Sequence, residues 1–327
     1  MNAPVITVFG ATGAQGGGLA RAILDDPARR FRARAVTRNP DSPAARALAN
    51  AGAEVAAADL DDAVSVRRVL EGVYGAFCVT SFWEHFSPEK ELAQARTMAE
   101  SARAAGVRHV IWSTLEDTRE LIAPGTRMPV LKGRYNVPHL DAKGEANREF
   151  FDRGVATTLL ATSFYWDNLI HHLGMLRRGA GGRLEFVLPM GRAKLPGIAA
   201  ADIGACAFGI FARGEELVGK SIGIAGEHLT GTQMAEQIAL ALGESVDHVD
   251  LTPAQYATLG FPGADDLANM FQFKAEFEHR YCAARDPSCA RELHPGLLTF
   301  AGWLARHASR LRIERRPAAP VDGGVSS

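Results

Sequence analysis

The chain is 327 residues long and carries 36 Lys and Arg against 37 Asp and Glu, a net charge of −1. Hydrophobic residues make up 47% and charged residues 22%, a globular balance that excludes bulk disorder and a general nucleic-acid footprint. No apolar run approaches the ~18 residues that span a bilayer, and no leader pattern precedes the first strand-like run. Neither membrane nor nucleic acid is therefore an expected partner, and the expected location is cytoplasmic.

The first half alternates short apolar runs with helical stretches. Val5–Phe9 is β-branched and apolar, like a buried parallel strand. Leu19–Leu24 has helical spacing. Arg32–Thr37 reads as a second strand, Ala44–Asn50 as a helix stopped by Gly52, and Glu54–Ala57 as a third strand. Val64–Leu70 is a helix closed by Gly72, and Ala76–Thr80 a fourth strand. Glu89–Ala105 is a long helix stopped by Gly106, His109–Ser113 a fifth strand, Asp141–Arg153 a helix ending at Gly154, and Thr157–Ala161 a sixth strand. Repeated β-α units imply a parallel sheet covered on both faces. The expected fold is α/β: a Rossmann-type doubly wound parallel sheet with a smaller α+β C-terminal subdomain. Ligands of such sheets bind beyond the carboxyl ends of the strands.

Past residue 165 the rhythm changes. Strands are short (Leu184–Leu188, Ser221–Ala225, His248–Leu251). Thr232–Leu242 reads as a helix with Thr230 as N-cap, Asp265–Tyr281 has helical spacing, and Gly302–Leu311 reads as a last helix. The expected division is 1–165 for a nucleotide-binding domain and 166–313 for a smaller substrate or partner subdomain, which is open to interleaving with the first. Residues 314–327 are expected to be a disordered tail, since Pro317–Ser327 is rich in Pro, Gly and Ser. Cys78, Cys206, Cys282 and Cys289 are scattered and no His/Cys group has zinc spacing, so no metal is expected. His171-His172 is a metal pair in appearance only, because neighbours on a helix point apart. The arginines at 306, 310, 312, 315 and 316 read as a solvated terminal face. Cys282 and Cys289 form a redox pair only if the fold joins them.

The strongest local signal is Gly10-Ala11-Thr12-Gly13-Ala14-Gln15-Gly16, which follows the first strand and opens the first helix. Gly10 permits a tight turn, Gly13 lets backbone approach a pyrophosphate, and Gly16 allows close helix–sheet packing. The helix N-terminus then presents free N–H groups to the phosphates. Arg38 follows the second strand, where an acid would select NAD and a cation accommodates the 2′-phosphate of NADP. The expected cofactor is NADP(H). Asp59 and Leu60 follow the third strand and flank the adenine position; a helix cap ahead of Val64 is the alternative for Asp59. Thr80, Ser81 and Phe82 follow the fourth strand, near the cofactor's ribose and phosphates.

Seven segments occur in order: Gly10-Ala-Thr-Gly-Ala-Gln-Gly, Thr37-Arg-Asn-Pro, Ala58-Asp-Leu, Thr80-Ser-Phe-Trp-Glu84, Ser113-Thr-Leu-Glu116, His139-Leu-Asp-Ala-Lys143 and Phe164-Tyr-Trp-Asp-Asn168. The series closely resembles the NmrA-like family of atypical short-chain dehydrogenases/reductases, in particular the NmrA-like family domain-containing proteins, which are NADP(H)-binding redox sensors. The resemblance spans about the first 300 residues. It implies NADP(H) contacts at Gly10 to Gln15, Arg38, Asp59, Leu60 and Thr80 to Phe82, and adds Lys143 and the segment of Tyr165, Trp166 and Asn168. A basic residue of the family aligns with Ala93 here, with Lys90 nearby.

Classical members use Tyr-x-x-x-Lys, and four residues on a helix put both side chains on one face. Here the pattern is His139-x-x-x-Lys143. Lys143 is expected to hold the ribose. His139 is a candidate proton donor because imidazole titrates near neutrality; a helix-start histidine without chemistry is the alternative. Tyr165 is a second candidate donor. Ser113 or Thr114 stands where a carbonyl-orienting hydroxyl belongs. Phe82, Trp83, Phe164 and Trp166 form either an aromatic enclosure or plain core. Two functions follow from different classes. One is an NADPH-dependent reductase of a small carbonyl- or imine-type substrate. The other is a non-catalytic sensor that regulates a protein partner. A scaffold with vestigial nucleotide binding is weaker, and the oligomeric state is left open, a homodimer included.

Overall fold

Short apolar strands separated by glycine-stopped helices build a seven-stranded, wholly parallel sheet. The computed structural model describes residues 3–171, 174–179 and 181–315. The first six strands are β1 (Val5–Val8), β2 (Arg32–Thr37), β3 (Glu54–Ala57), β4 (Gly75–Cys78), β5 (His109–Thr114) and β6 (Thr157–Ala161). Between them run α1 (Ala14–Leu24), α2 (Pro43–Asn50), α3 (Ala63–Leu70), α4 (Pro88–Ala104), α5 (Pro138–Glu145) and α6 (Asn147–Phe151). The strand order is 3-2-1-4-5-6, extended by a later strand. That is the doubly wound Rossmann arrangement, with its switch point between β1 and β4. Ser42, Asp62 and Ser87 cap α2, α3 and α4 with side-chain oxygens, the residue types that satisfy free N-terminal donors.

The second half adds β7 (Phe164–Tyr165), β8 (Leu176–Arg178), β9 (Leu184–Val187), β10 (Lys194–Ile198), β11 (Ser221–Gly223), β12 (Glu227–Thr230), β13 (Val246–Val249) and β14 (Glu314–Arg315). Its helices are α7 (Ala200–Arg213), α8 (Gly231–Leu242), α9 (Pro253–Ala257), α10 (Ala264–Glu276), α11 (Glu278–Ala283), α12 (Pro287–Leu293) and α13 (Phe300–His307). Strand β11 returns to the large sheet beside β6, while β12-β10-β7 and β13-β9-β8-β14 form two small sheets. Helix α7 also returns, and lies against α1. A Cβ on Gly204 would collide with the backbone of Gly18 and Leu19, so glycine sets that helix–helix distance. Three apolar cores result. One lies under α1 and α7, one under α3 and α4, and one between the small sheets and helices α8, α10 and α13.

Several boundaries differ from the sequence expectation. The stretch expected as one helix over 141–153 is two helices that start at Pro138, with Ala146 between them. Pro138 takes the first helical position, where its missing N–H costs nothing. The stretch 265–281 breaks at Phe277, whose φ of −111° and ψ of 26° leave the helical region. Helix α7 carries no strong local signal, because Gly204 and Gly209 lower its intrinsic propensity. The tail Pro317–Ser327, His172 and Arg316 lie outside the described residues. All four cysteines are unpaired. No described helix is long and apolar enough to cross a membrane.

Candidate functional site

The groove above β1 and β4 begins with the glycine turn. Gly10 has a φ of +62°, a conformation that suits glycine and strains other residues. Its carbonyl accepts the N–H of Gly13 at 2.9 Å. A Cβ on Gly16 would press on the carbonyls of Phe9 and Gly10. Helix α1 starts after Gly13 without a side-chain cap, and Thr12, Gly13 and Ala14 are exposed. First-turn N–H groups are thus left for an anion. The cradle fits the pyrophosphate of a dinucleotide.

Arg38, at the end of β2, meets Glu84 at 2.8 Å, and both side chains are at least half exposed. Asp59 is exposed at the end of β3, and its carboxylate accepts the N–H of Asp61 at 3.0 Å. The cap of α3 is Asp62 and not Asp59. Leu60 packs against the core under α3 and α4. Ser81 is exposed and Phe82 is buried in a single turn of 3-10 helix.

Behind this row stands a buried ionic knot. Lys143 Nζ donates to Thr80 Oγ1 at 2.7 Å and to the Thr80 carbonyl at 3.2 Å. It also lies 2.7 Å from Glu91 Oε1. Glu91 is fully buried at the start of α4, and the Thr80 hydroxyl donates to the same carboxylate oxygen. The other oxygen, Oε2, faces His85 Nε2 at 3.6 Å. His85 Nδ1 accepts the N–H of Ser87, so Nε2 carries the ring proton. Burial holds His85 below its usual range and keeps it neutral at pH 7. Lys143 is therefore oriented by a carboxylate that sequence reading missed. No local motif distinguishes Glu91 from the other acids on its long helix.

A second row crosses the strand ends. Ser113 donates to Gln15 Oε1 at 2.8 Å, and the Gln15 amide donates to the Tyr165 oxygen at 2.5 Å. Thr162 lies 3.4 Å from the same hydroxyl. Burial pushes the Tyr165 hydroxyl up, so it stays protonated, and its lone pair is already taken by Gln15. Alternation along β5 sends Thr114 the other way, to the Lys143 carbonyl and Asn147. Ser113, and not Thr114, is therefore on the Gln15 and Tyr165 side of β5.

His139 sits at the start of α5, one helical turn before Lys143. Its Nδ1 lies 2.6 Å from Asp266 Oδ1, and its backbone N–H donates to Asp266 Oδ2 at 3.2 Å. Nε2 has no partner among the described residues. Trp83 stands 4.7 Å from the imidazole and Phe82 6.1 Å. Asp266 comes from α10, 127 residues away, beyond any local motif. Trp166 is 1% exposed and packs on Phe300 and Trp303, in the core beneath the groove. Asn168 is half-buried in the turn after β7. Phe164 is also core.

The NmrA-like family model matches residues 2–304, and the chain belongs to that family. The NmrA-like family domain-containing oxidoreductase hkm9 of Aspergillus hancockii is 28% identical, across 93% of this chain and 96% of the relative. The NmrA-like family domain-containing oxidoreductase ptmS of Penicillium ochrochloron is 26% identical, across 92% and 97%. Among solved structures, the negative transcriptional regulator NmrA in complex with NADP superposes with a TM-score of 0.76 at 21% identity, over 93% of this chain and 95% of that one. The NADPH-dependent quinone oxidoreductase QOR2 of Escherichia coli gives 0.70 at 24%, over 92% and 98%. At those identities the structures establish a shared fold.

Proposed function

We propose that this NmrA-like protein is an NADPH-dependent reductase of a small carbonyl- or imine-type substrate, with a nonstandard active site. The observation that carries the reading is the 2.6 Å contact between His139 and Asp266. His139 holds the position of the classical tyrosine, four residues before Lys143. A general acid needs an orienting group behind it, and Asp266 supplies one. With Nδ1 engaged, Nε2 is the nitrogen free to hand a proton to a substrate heteroatom. Trp83 and Phe82 shield one side of the ring from water. Tyr165, protonated and oriented by Gln15, is the second donor, and Ser113 is in reach of the same network. Lys143, held by Glu91 and Thr80, takes the ribose. Bound in the groove, NADPH would supply a hydride. In this reading residues 1–165 hold the cofactor, and residues 166–313 contribute Asp266 from the substrate side.

The test is NADPH oxidation against a panel of aldehydes, imines and quinones, the last suggested by the quinone oxidoreductase of like fold. His139→Ala should lower kcat about 100-fold with the NADPH affinity unchanged. Asp266→Asn should lower it about tenfold, because the ring loses its orienting charge. Full activity in His139→Ala would remove His139 from the chemistry. NADPH binding without any turnover of the panel would reject the reductase and leave the non-catalytic sensor.

A further inference from the structure

A second cavity opens on the far side of α5 from the nucleotide groove. It holds about 350 Å³ and lies over β6 and β11, between α5–α6 and α10–α11. Small-ligand sites begin near that volume. The pleat of β5 separates it from the groove: Ser113 turns toward Gln15, and Thr114 lines the cavity. On α5, Lys143 turns to Glu91 while Gly144 lines the cavity. Two glycines set its walls. A Cβ on Gly144 would collide with Asp117, and one on Gly223 with the Ala284 carbonyl.

The lining has a definite chemistry. Phe273 and Phe277 stack with centroids 5.3 Å apart and planes 27° apart, and Tyr281 continues that wall one turn on. Most charges around it are already matched. Arg285 forks onto Glu116, with its second N–H at 2.8 Å, and Arg119 holds Asp117 at 2.7 Å. Two charges are left over. Arg280 on α11 and Glu120 in the short turn Thr118–Glu120 both line the cavity, and neither has a partner among the described residues. They are not paired with each other. An aromatic wall flanked by one free cation and one free anion matches a ligand with a ring, a carboxylate and an ammonium group.

We propose that this cavity binds an aromatic amino acid or a close zwitterionic relative, with its ring on Phe273 and Phe277, its carboxylate on Arg280 and its ammonium on Glu120. The site is independent of the nucleotide groove. The experiment is calorimetric titration of the full chain with L-tryptophan, tryptamine and 3-(indol-3-yl)propionate, each with and without saturating NADPH. L-Tryptophan should bind about fivefold tighter than either analogue, the scale of an exposed charge contact, and NADPH should not displace it. Arg280→Gln should erase the advantage over tryptamine alone. Glu120→Gln should erase the advantage over the propionate alone. Both side chains are exposed and unpaired, so neither variant threatens the fold. Equal binding of the three probes, no binding of any, a preference over tryptamine that survives Arg280→Gln, or displacement by NADPH would each overturn the proposal.

Discussion

Arg38 is legible in the sequence because its proposed role depends on position alone: it follows a strand of the doubly wound sheet at the end where such sheets bind ligands. The structure adds Glu84, which holds the guanidinium at 2.8 Å in an exposed pair. A 2′-phosphate must compete with that carboxylate, in solvent, where ion pairs are weak. Arg38→Ala is therefore expected to weaken NADPH by about 1–2 kcal/mol, below the full range of a buried charged contact, and to leave NADH nearly unchanged. Fluorescence titration with both nucleotides reads the difference, and equal losses would remove Arg38 from the phosphate. The same residue scale shows where sequence reading stops. The glycine turn, Arg38 and Lys143 are local signals. Asp266 and Glu91 became functional candidates through side-chain proximity across the fold, and no spacing rule reports that. Trp166 shows the converse. Its motif suggests a contact with cofactor, and no local signal in it reports that the side chain is buried against Phe300 and Trp303.

At the scale of elements, glycine does opposite things in α1, α7 and the loops. Positive-φ glycines end helices, as at Gly52, Gly72, Gly106 and Gly154, and those stops made the β-α rhythm readable. Gly204 instead sits inside α7, where it weakens the local helix signal and permits the close approach to α1. That is why α7 was not legible while its neighbours were: the residue that hides the helix is the one that packs it. Propensity alone predicts that Gly204→Ala gains about 1 kcal/mol. Overpacking against the backbone of Leu19 outweighs this, so the net expectation is a loss of about 1–3 kcal/mol. Urea unfolding measures it. A midpoint equal to or above that of the parent would show that the two helices separate without cost. Because α1 carries the phosphate cradle, nucleotide affinity should fall with the same variant.

Over the whole molecule, near-zero net charge conceals buried charges that are unevenly matched. Lys143 has Glu91, and Arg285 has Glu116, whose carboxyl stays below its usual range because Arg285 outweighs the effect of burial. Among the described residues, Lys274 has no carboxylate in ion-pair range. Its Nζ rests on the Met270 sulfur at 3.2 Å and 5.2 Å from the centre of the Tyr281 ring. Burial, with repulsion from Arg285, pushes its pKa down to about 7. An unfolded lysine titrates near 10.4, so between about pH 7 and pH 10 the unfolded chain binds more protons than the folded one. Stability then rises with pH across that window, and the cost of the buried charge is fully present below it. Lys274→Met keeps the volume and removes the charge, so it should equal or exceed the parent in stability at pH 6. From pH 7 to pH 9 the parent should gain about 2 kcal/mol on the variant, by the linkage relation. Urea unfolding of both proteins at four pH values decides the matter. A difference that stays flat from pH 6 to pH 9 would mean that Lys274 keeps its proton in the fold, and that Glu116 serves both cations together.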